Sequence, residues 1–300
     1  MKTHEWSWIN GEGLSFLSRS WEPDGAPRGV LILVHGLGEH TGRYEPVGRW
    51  LANRRYALAG FDMRGHGLSS GPRGHTPDYE SLLNDVSTFV EQGRLRFPKS
   101  PLILYGHSLG GNVVLNFALR RQADVRAVIA ASPWIRVAFE PPRSKLVLAQ
   151  VLDRVAPAFT QEWGLDTEDL SHDAQAVDAY DQDPLVHGRI SARLFVAVSA
   201  AGRWALEHAG NFPLPLLLMH GSADQVTSPE ATEEFASRAG RQVTWRRWEG
   251  LFHELHNEVS RDEVLSFVVA WLDGQLGLGS GPRQLAGQKA SAMREFGAHS

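Results

Sequence analysis

The chain has 300 residues, of which 42% are hydrophobic and 21% are charged. This is an ordinary globular composition, and it excludes a disordered chain, a coiled coil and a collagen-like fibre. The 30 basic and 34 acidic residues give a net charge of −4, without the basic surplus that is usual in nucleic-acid-binding proteins. Cysteine is absent, which excludes disulfides, thiolate metal sites and a cysteine nucleophile.

The first ten residues include charged side chains and no apolar run, unlike a secretory signal. No segment approaches the roughly 18 apolar residues that a spanning helix requires. The sequence therefore predicts a cytoplasmic protein without a transmembrane segment.

Six apolar segments are predicted as strands, and amphipathic segments that are typical of helices lie between them. The strands are predicted at residues 30–35, 56–62, 101–105, 125–132, 214–220 and 242–248. The helices are predicted at residues 43–54, 79–97, 110–121, 229–239 and 262–272. Two weaker strands, 5–9 and 14–21, precede them. This alternation predicts an α/β fold with a mostly parallel central sheet covered by helices on both faces.

Residues 135–209 interrupt this alternation between the fourth and fifth strong strands. Their pattern is mainly helical, and 145–155 places several leucines and valines on one broad face. The sequence predicts four parts: a first core segment (1–134), a helical cap or lid (135–209), a second core segment (210–273) and a flexible tail rich in glycine and serine (274–300).

The pattern Gly-x-Ser-x-Gly, which is typical of serine nucleophiles, occurs twice. At residues 106–110 the serine is Ser108, and it lies between an apolar strand and an amphipathic helix. In this context the serine hydroxyl projects from the sheet edge, and Gly106 and Gly110 leave room for the tight turn. The other serine, Ser69, is followed by GPRG, which is typical of a loop. The sequence therefore favours Ser108.

A serine hydroxyl needs a base, usually a histidine that is oriented by a carboxylate. His253 directly follows the sixth strand, and Asp224 follows the fifth, so both belong to the sheet edge that carries Ser108. The competing acid, Asp183, is interpreted as a turn or helix cap. Among competing histidines, His256 is interpreted as a capping or surface residue, and His299 lies in the tail.

Acyl transfer also needs fixed donors for the oxyanion that forms on the ester carbonyl. The backbone N–H of Leu109, directly after the nucleophile, is one predicted donor. The second is the backbone N–H of Leu37, in the glycine-containing loop that follows the first strong strand.

Five segments resemble the monoglyceride lipase family of the α/β-hydrolase superfamily. They are HGLGEHTGRY (35–44), DMRGHGLS (62–69), GHSLGG (106–111), HGSAD (220–224) and FHELH (252–256). The resemblance extends from about residue 5 to 272 and is weakest in the predicted lid. It implies the α/β-hydrolase fold and the order serine, aspartate, histidine. It also implies that Glu39 and Arg43 line the polar end of a pocket for the glycerol head group. Their i,i+4 spacing is equally typical of an internal ion pair.

The resemblance implies cleavage of monoacylglycerols to fatty acid and glycerol through an acyl-enzyme on Ser108, without metal or cofactor. The expected partner is a lipid ester, and no nucleic acid is expected. The predicted lid is expected to contact membranes or micelles transiently, and its helices are expected to form the wall of an acyl tunnel. The oligomeric state stays open. The candidate wall residues are Leu146, Val147, Val151 and Phe159, and each of them is also typical of the lid's own apolar core.

Other readings of the same scaffold remain open. They are a lysophospholipase, a short-chain carboxylesterase, an acyltransferase and a catalytically silent ligand-binding protein. An aminopeptidase would need a lid carboxylate for a free amine, and four are available: Glu162, Asp166, Glu168 and Asp169. A haloalkane dehalogenase is disfavoured, because its nucleophile would be an aspartate at position 108.

Overall fold

The computed structural model describes residues 1–122 and 124–278. Eight strands form its central sheet: β1 (Lys2–Ile9), β2 (Ser15–Glu22), β3 (Gly29–Val34), β4 (Tyr56–Phe61), β5 (Leu102–His107), β6 (Ala127–Ala131), β9 (Leu216–Gly221) and β10 (Val243–Trp248). Two three-residue strands, β7 (Thr160–Glu162) and β8 (Arg189–Ser191), form a separate antiparallel pair.

Helices connect most of these strands. They are α1 (Glu45–Ala52), α2 (Tyr79–Arg96), α3 (Leu109–Arg120), α4 (Arg143–Val155), α5 (Ala174–Asp181), α6 (Ala192–Glu207), α7 (Pro229–Ala239) and α8 (Arg261–Gln275). Short 3₁₀ turns, such as Thr41–Tyr44 and Leu255–Asn257, lie in the loops.

The strand order in the central sheet is β1-β2-β4-β3-β5-β6-β9-β10. Strands β4 to β10 in this order are parallel, whereas β1 and β2 are antiparallel to their neighbours. The predicted, mostly parallel sheet is therefore confirmed, and so are the two weaker strands, which form its antiparallel edge. Strands β3, β4 and β5 are buried at every residue, as their continuous apolar runs indicate.

The sheet separates two apolar clusters, because successive side chains of a strand point to opposite faces. In β3, Val30 and Ile32 belong to one cluster and Leu31 and Leu33 to the other. Both faces of the sheet are thus buried.

The C-terminal end of the described chain departs from the predicted organisation. Helix α8 continues to Gln275 and so includes the first two residues of the predicted tail, 274 and 275. Residues 279–300, with His299, lie outside the described residues.

The segment that interrupts the alternation, residues 135–209, lies between β6 and β9 and is called the insertion below. It contains α4, α5 and α6, and also the β7–β8 pair, which the sequence pattern did not predict. Helix α6 buries several residues, whereas α4 buries none. Within the described ranges, no helix has the length and apolarity that crossing a bilayer requires.

The parallel strands bring four loops to one edge of the sheet. The loops after β3, β5, β9 and β10 carry Leu37, Ser108, Asp224 and His253, respectively. Because the carboxyl ends of parallel strands meet at one edge, residues far apart in sequence meet there.

Candidate active site

Ser108 occupies a sharp turn between β5 and α3. Its backbone has φ 54° and ψ −114°, in a region that a residue with a side chain rarely adopts. A Cβ atom on Gly106 would lie 2.3 Å from the carbonyl oxygen of Gly110, and one on Gly110 would lie 1.9 Å from that of Val34. Both glycines are therefore required by close backbone contacts, as the sequence pattern predicts.

The strained turn is held by backbone hydrogen bonds. The N–H of Ser108 donates to the carbonyl of Ala131 (3.1 Å). The carbonyl of Ser108 accepts from the N–H groups of Asn112 (3.0 Å) and Trp134 (2.9 Å). These bonds fix Ser108 between β6, α3 and the loop that leads into the insertion, which is how surrounding structure maintains a costly conformation.

Asp224 and His253 form a buried pair. Nδ1 of His253 lies 2.7 Å from Oδ2 of Asp224, and the two residues are 3% and 4% exposed. The other carboxylate oxygen, Oδ1, accepts from the N–H groups of Val226 (2.7 Å) and Thr227 (3.0 Å). The carboxylate is thus held in the orientation that directs Oδ2 toward the imidazole.

The electrostatics of this pair favour charge on both partners. Burial alone would raise the pKa of Asp224, but the neighbouring imidazoles of His253 and His220 hold it well below its ordinary value. Burial alone would lower the pKa of His253, yet the Asp224 carboxylate raises it above its ordinary value. The carboxylate is therefore ionised and can stabilise an imidazolium at His253.

Ser108 and His253 line the same cavity. In the described part of the chain, no hydrogen bond joins their side chains. Such bonds are often long before a substrate is bound and tighten in the complex.

Two backbone N–H groups beside Ser108 have no protein acceptor within residues 1–122 and 124–278: those of Leu37 and Leu109. Leu109 is the first residue of α3, where N–H groups lack an intrahelical partner. Leu37 precedes Gly38, which has φ 79° and whose carbonyl accepts from the N–H of His187 in the insertion (2.9 Å). Both predicted oxyanion donors are thus free to bind a ligand oxygen.

Glu39 and Arg43 form the ion pair that their spacing predicts, and a third residue joins them. Nη1 of Arg43 lies 2.9 Å from Oε2 of Glu39, and its guanidinium donates to both carboxylate oxygens of Glu254, at 2.7 and 2.8 Å. Oε1 of Glu39 accepts from the hydroxyl of Tyr44 (2.9 Å) and the N–H of Gly36 (2.6 Å). The buried cation therefore links two buried carboxylates.

The two carboxylates differ electrostatically. Burial raises the pKa of Glu39 despite the opposing charge of Arg43. Burial would also raise the pKa of Glu254, but its two-pronged contact with Arg43 holds it well below its ordinary value. Both carboxylates line the cavity that contains Ser108, whereas Arg43 is absent from the described cavity wall. This end of the cavity is consequently polar and rich in acceptors.

Apart from the polar residues around Ser108 and His253, the rest of the cavity wall is apolar. The cavity is small, about 40 Å³, and its apolar lining comes mainly from the insertion and the loops beside it. The apolar residues of this wall are Leu37, Trp134, Val137, Trp163, Leu165, Leu170, Tyr180 and Val226.

A larger groove of about 270 Å³ lies within the insertion, and Trp163 lines both spaces. Of the predicted tunnel residues, Leu146 and Phe159 line this insertion groove. Val147 and Val151 are absent from its described wall and are 58% and 48% exposed.

The competing residues have other partners. Asp183 lies 2.8 Å from Nε2 of His40 and accepts from the N–H of Leu185, which is the turn role expected of it. Ser69 lies in a loop, where its hydroxyl accepts from the N–H of Leu17. The surface interpretation of His256 is wrong, because this residue is 1% exposed and stacks on Tyr44.

Three residues at the site were missed by sequence reasoning. His220 hydrogen-bonds the same oxygen of Asp224 as His253 does, and it was considered only as part of the HGSAD segment. Glu254 directly follows His253, but its partner Arg43 lies 211 positions earlier. Trp163 belongs to the insertion, where no motif was found. The His220–Asp224 spacing at a strand end is the one local signal that could have been used.

Known proteins are similar to this chain over most of its length. A protein-family model described as "Serine aminopeptidase, S33" matches residues 25–260. An uncharacterized abhydrolase domain-containing protein of Dictyostelium discoideum is 34% identical over 85% of this chain, and the chain spans 27% of its length.

Two named lipases match over nearly their whole length. The monoacylglycerol lipase of Mycolicibacterium smegmatis is 31% identical over 91% of this chain and 98% of that protein. The crystal structure of Paleococcus ferrophilus monoacylglycerol lipase has 31% identity and a TM-score of 0.78, covering 92% of this chain and 100% of that one. This chain therefore belongs to the monoglyceride lipase family of the α/β-hydrolase superfamily.

Proposed function

We propose that this protein is a serine hydrolase that cleaves monoacylglycerols to fatty acid and glycerol. The observation that carries the proposal is that Ser108, His253 and Leu37 line one cavity. Behind His253 lies its buried partner Asp224, and Leu109, with the second free N–H, directly follows Ser108 at the strained turn. The named relatives are monoacylglycerol lipases, which supports this substrate class.

In the first step, Oγ of Ser108 attacks the ester carbonyl carbon while Nε2 of His253 takes the hydroxyl proton. The carbonyl π electrons move to the oxygen, where the N–H groups of Leu37 and Leu109 hold the negative charge. Each such donor contributes about 2.7–4 kcal/mol in other enzymes. Asp224 keeps the proton on Nδ1 of the imidazole and stabilises the imidazolium.

In the second step, the ester C–O bond breaks, and His253 gives its proton to the glycerol oxygen. The acyl group stays bonded to Oγ of Ser108. His253 then takes a proton from a water molecule, whose oxygen attacks the acyl carbon. Collapse of this intermediate releases the fatty acid and returns the proton to Ser108.

The polar end of the cavity suits the glycerol head group. Glu39 and Glu254 line the wall there and retain lone pairs that glycerol hydroxyls can use as acceptors. Arg43 acts through these carboxylates: it neutralises part of their charge and fixes their orientation. A site built on such bonds discriminates against esters that lack the hydroxyls.

The insertion groove suits the acyl chain. It is larger than the cavity at Ser108, and Leu146, Leu152 and Phe159 are among the apolar side chains of its wall. Trp163 lies between the two spaces, so a chain that starts at Ser108 reaches the groove past this indole. In this proposal the insertion is a cap that binds the fatty-acid part of the substrate.

A second face of α4 is suited to a lipid surface. Val147, Val151 and Val155 follow one another at four-residue intervals, and they are 58%, 48% and 73% exposed. Two cationic residues, Arg143 and Lys145, lie in the first turn of the same helix. Arg143 lies one turn before Val147 on this face, whereas Lys145 lines the insertion groove. An apolar stripe with a basic side chain at its end favours transient contact with anionic membranes, where lipid esters are found.

The aminopeptidase reading has less support. It needs a carboxylate of the insertion near Ser108, and among the described residues none of the four candidates lines that cavity. Glu162 lines the insertion groove instead. The two carboxylates that do reach the cavity, Glu39 and Glu254, are engaged by Arg43.

The proposal is tested by measuring kcat/KM for a matched set of substrates. The set comprises monoacylglycerols of increasing chain length, a lysophosphatidylcholine, p-nitrophenyl esters and an aminoacyl amide. We expect the highest values for monoacylglycerols, together with labelling of Ser108 by a fluorophosphonate. A preference for the lysophospholipid or the amide would contradict the head-group assignment, and absent labelling would favour the silent ligand-binding protein.

A further inference from the structure

Two histidines share one oxygen of Asp224. Nε2 of His220 lies 2.9 Å from Oδ2, and Nδ1 of His253 lies 2.7 Å from the same atom. His220 is fully buried at the end of β9, four residues before Asp224. The mechanism above uses only one of these imidazoles.

The surroundings of His220 indicate where its proton lies. At 2.9 Å from an ionised carboxylate, Nε2 must carry a hydrogen, because two lone pairs would repel each other. Nδ1 lies 2.8 Å from Oγ1 of Thr232, which can donate its hydroxyl hydrogen to it. These contacts favour a hydrogen on Nε2 that is directed at Asp224.

His220 is not needed to orient the carboxylate. The N–H groups of Val226 and Thr227 hold Oδ1, and the hydroxyl of Thr227 lies 3.0 Å from Oδ2. None of these three contacts is made by His220. What His220 adds is a second N–H donor on the oxygen that faces His253.

From this shared contact, and on the basis of the proposed function, we infer that His220 is a positioning residue for the general base. Its Nε2–H donates a hydrogen bond to Oδ2 and stabilises part of the negative charge there. The attraction between Asp224 and the proton of His253 is therefore weaker. A base that binds a proton too tightly is already protonated at neutral pH and cannot accept one from Ser108.

Of the other groups around His253, some raise its pKa, which is opposite to the effect inferred for His220, and some are uncharged. Besides Asp224, the carboxylates of Glu254 and Glu39 raise its pKa, and burial opposes them. Burial lowers the pKa of His107 and His256, so these neighbours are neutral near pH 7. The titratable groups beside His253, from the strand ends, the loops and the insertion packed around it, are His220, Asp224, His107, Glu39, Asp169, Glu254 and His256.

The experiment compares His220→Leu, which removes the donor, with His220→Gln, whose side-chain amide can keep an N–H near the Nε2 position. The pH dependence of kcat/KM for a monoacylglycerol is measured for both variants and for wild type. The wild-type rate should fall as the pH decreases through the raised pKa of His253, because protonation removes the general base.

In His220→Leu, the acid limb should move to higher pH by about 0.5 to 1 pH unit, since the loss of one hydrogen bond to the carboxylate strengthens its hold on His253. At pH values below this limb, kcat/KM should be about threefold to tenfold lower than in wild type, and at alkaline pH it should return to the wild-type value. His220→Gln should keep the wild-type limb. Thr232→Val, which frees the tautomer of His220, should move the limb in the same direction by less.

A merely structural role predicts something different: a uniformly lower rate with an unchanged limb, and that result would overturn the inference. So would a His220→Gln limb that matches His220→Leu. The Nδ1 proton of His253 is also titrated by NMR in all variants, without substrate. If wild type hydrolyses no ester while this titration still moves in His220→Leu, the proposed function fails and the inference about His220 stands.

Discussion

The sheet and the insertion differ in how completely their side chains are buried. Strands β3, β4 and β5 are buried at every residue, and the glycines around Ser108 leave no space for a methyl group. Helix α4 of the insertion has no buried residue and exposes a stripe of valines, of which Val155 is 73% exposed. The sheet therefore fixes atoms in place, whereas the insertion leaves apolar surface uncovered.

This difference divides the site by task. The groups proposed for chemistry follow sheet strands, where dense packing restricts their movement. The groups proposed for lipid binding belong to the insertion, where several apolar side chains are exposed and do not pack against other apolar groups. Substitutions in the two regions should consequently fail in different ways.

The largest effect is expected at the nucleophile. Ser108→Ala should lower ester hydrolysis by roughly 10⁴-fold or more, as loss of a triad member does in other serine hydrolases. Fluorophosphonate labelling, read by mass spectrometry, should disappear with it. Ser69→Ala is the matched control, because it removes the serine of the other Gly-x-Ser-x-Gly pattern and should keep both labelling and turnover. Retained turnover in Ser108→Ala would contradict the assignment.

The next effect is on stability. Arg43→Gln leaves Glu39 and Glu254 buried together without their cation, which should cost about 3–5 kcal/mol of unfolding free energy. Arg49→Gln is the control, because its partner Glu45 is about half exposed and surface pairs contribute under about 1 kcal/mol. Urea denaturation of both variants measures the difference. Equal losses would show that the buried network contributes no more than a surface pair.

In the insertion, the effect should be on selectivity. Trp163→Ala removes the indole between the cavity and the groove, so longer chains gain apolar contact. The kcat/KM ratio of a long-chain to a medium-chain monoacylglycerol should rise about tenfold, equivalent to burying roughly two more methylene groups. Trp204→Ala is the control, since Trp204 stacks on His208 and belongs to neither described cavity wall. An unchanged ratio would place the acyl chain elsewhere.

The smallest effect is expected at the outer face of α4. The double variant Val147→Glu and Val155→Glu should weaken flotation with phosphatidylcholine–phosphatidylglycerol vesicles by about threefold to tenfold, because charged side chains no longer enter the lipid. Hydrolysis of a soluble p-nitrophenyl ester should not change. Leu95→Glu, an 82% exposed leucine on α2, provides the control. Flotation equal to that of wild type would exclude this face as the contact.

The sheet was predictable because its signals are local. Continuous apolar runs predicted the parallel strands, and the turn at 106–110 combines two glycines with a strand before it and a helix after it. Once the strand ends were known, Asp224 and His253 followed from their positions. Chain-order reasoning thus supplied the buried pair that the structure brings together.

The remaining features depend on distant contacts that no local pattern encodes. Arg43 meets Glu254 across 211 positions, and the β7–β8 pair joins two three-residue segments that are too short to carry a strand period. The sequence pattern of α4 does not distinguish an outward face from a tunnel wall, because one broad apolar face does not reveal which of its sides meets solvent. For the same reason His256 was interpreted as a surface residue although it is buried against Tyr44.

The insertion also touches both loops that hold the chemistry. His187 donates its N–H to the carbonyl of Gly38, one residue from Leu37, and the carbonyl of Leu170 accepts from the N–H of Glu254, one residue from His253. Hydrogen bonds therefore attach the insertion to both loops that carry the proposed catalytic groups. Exchanging residues 135–209 for those of a relative should change turnover number as well as substrate preference, so chain-length engineering here cannot be separated from rate.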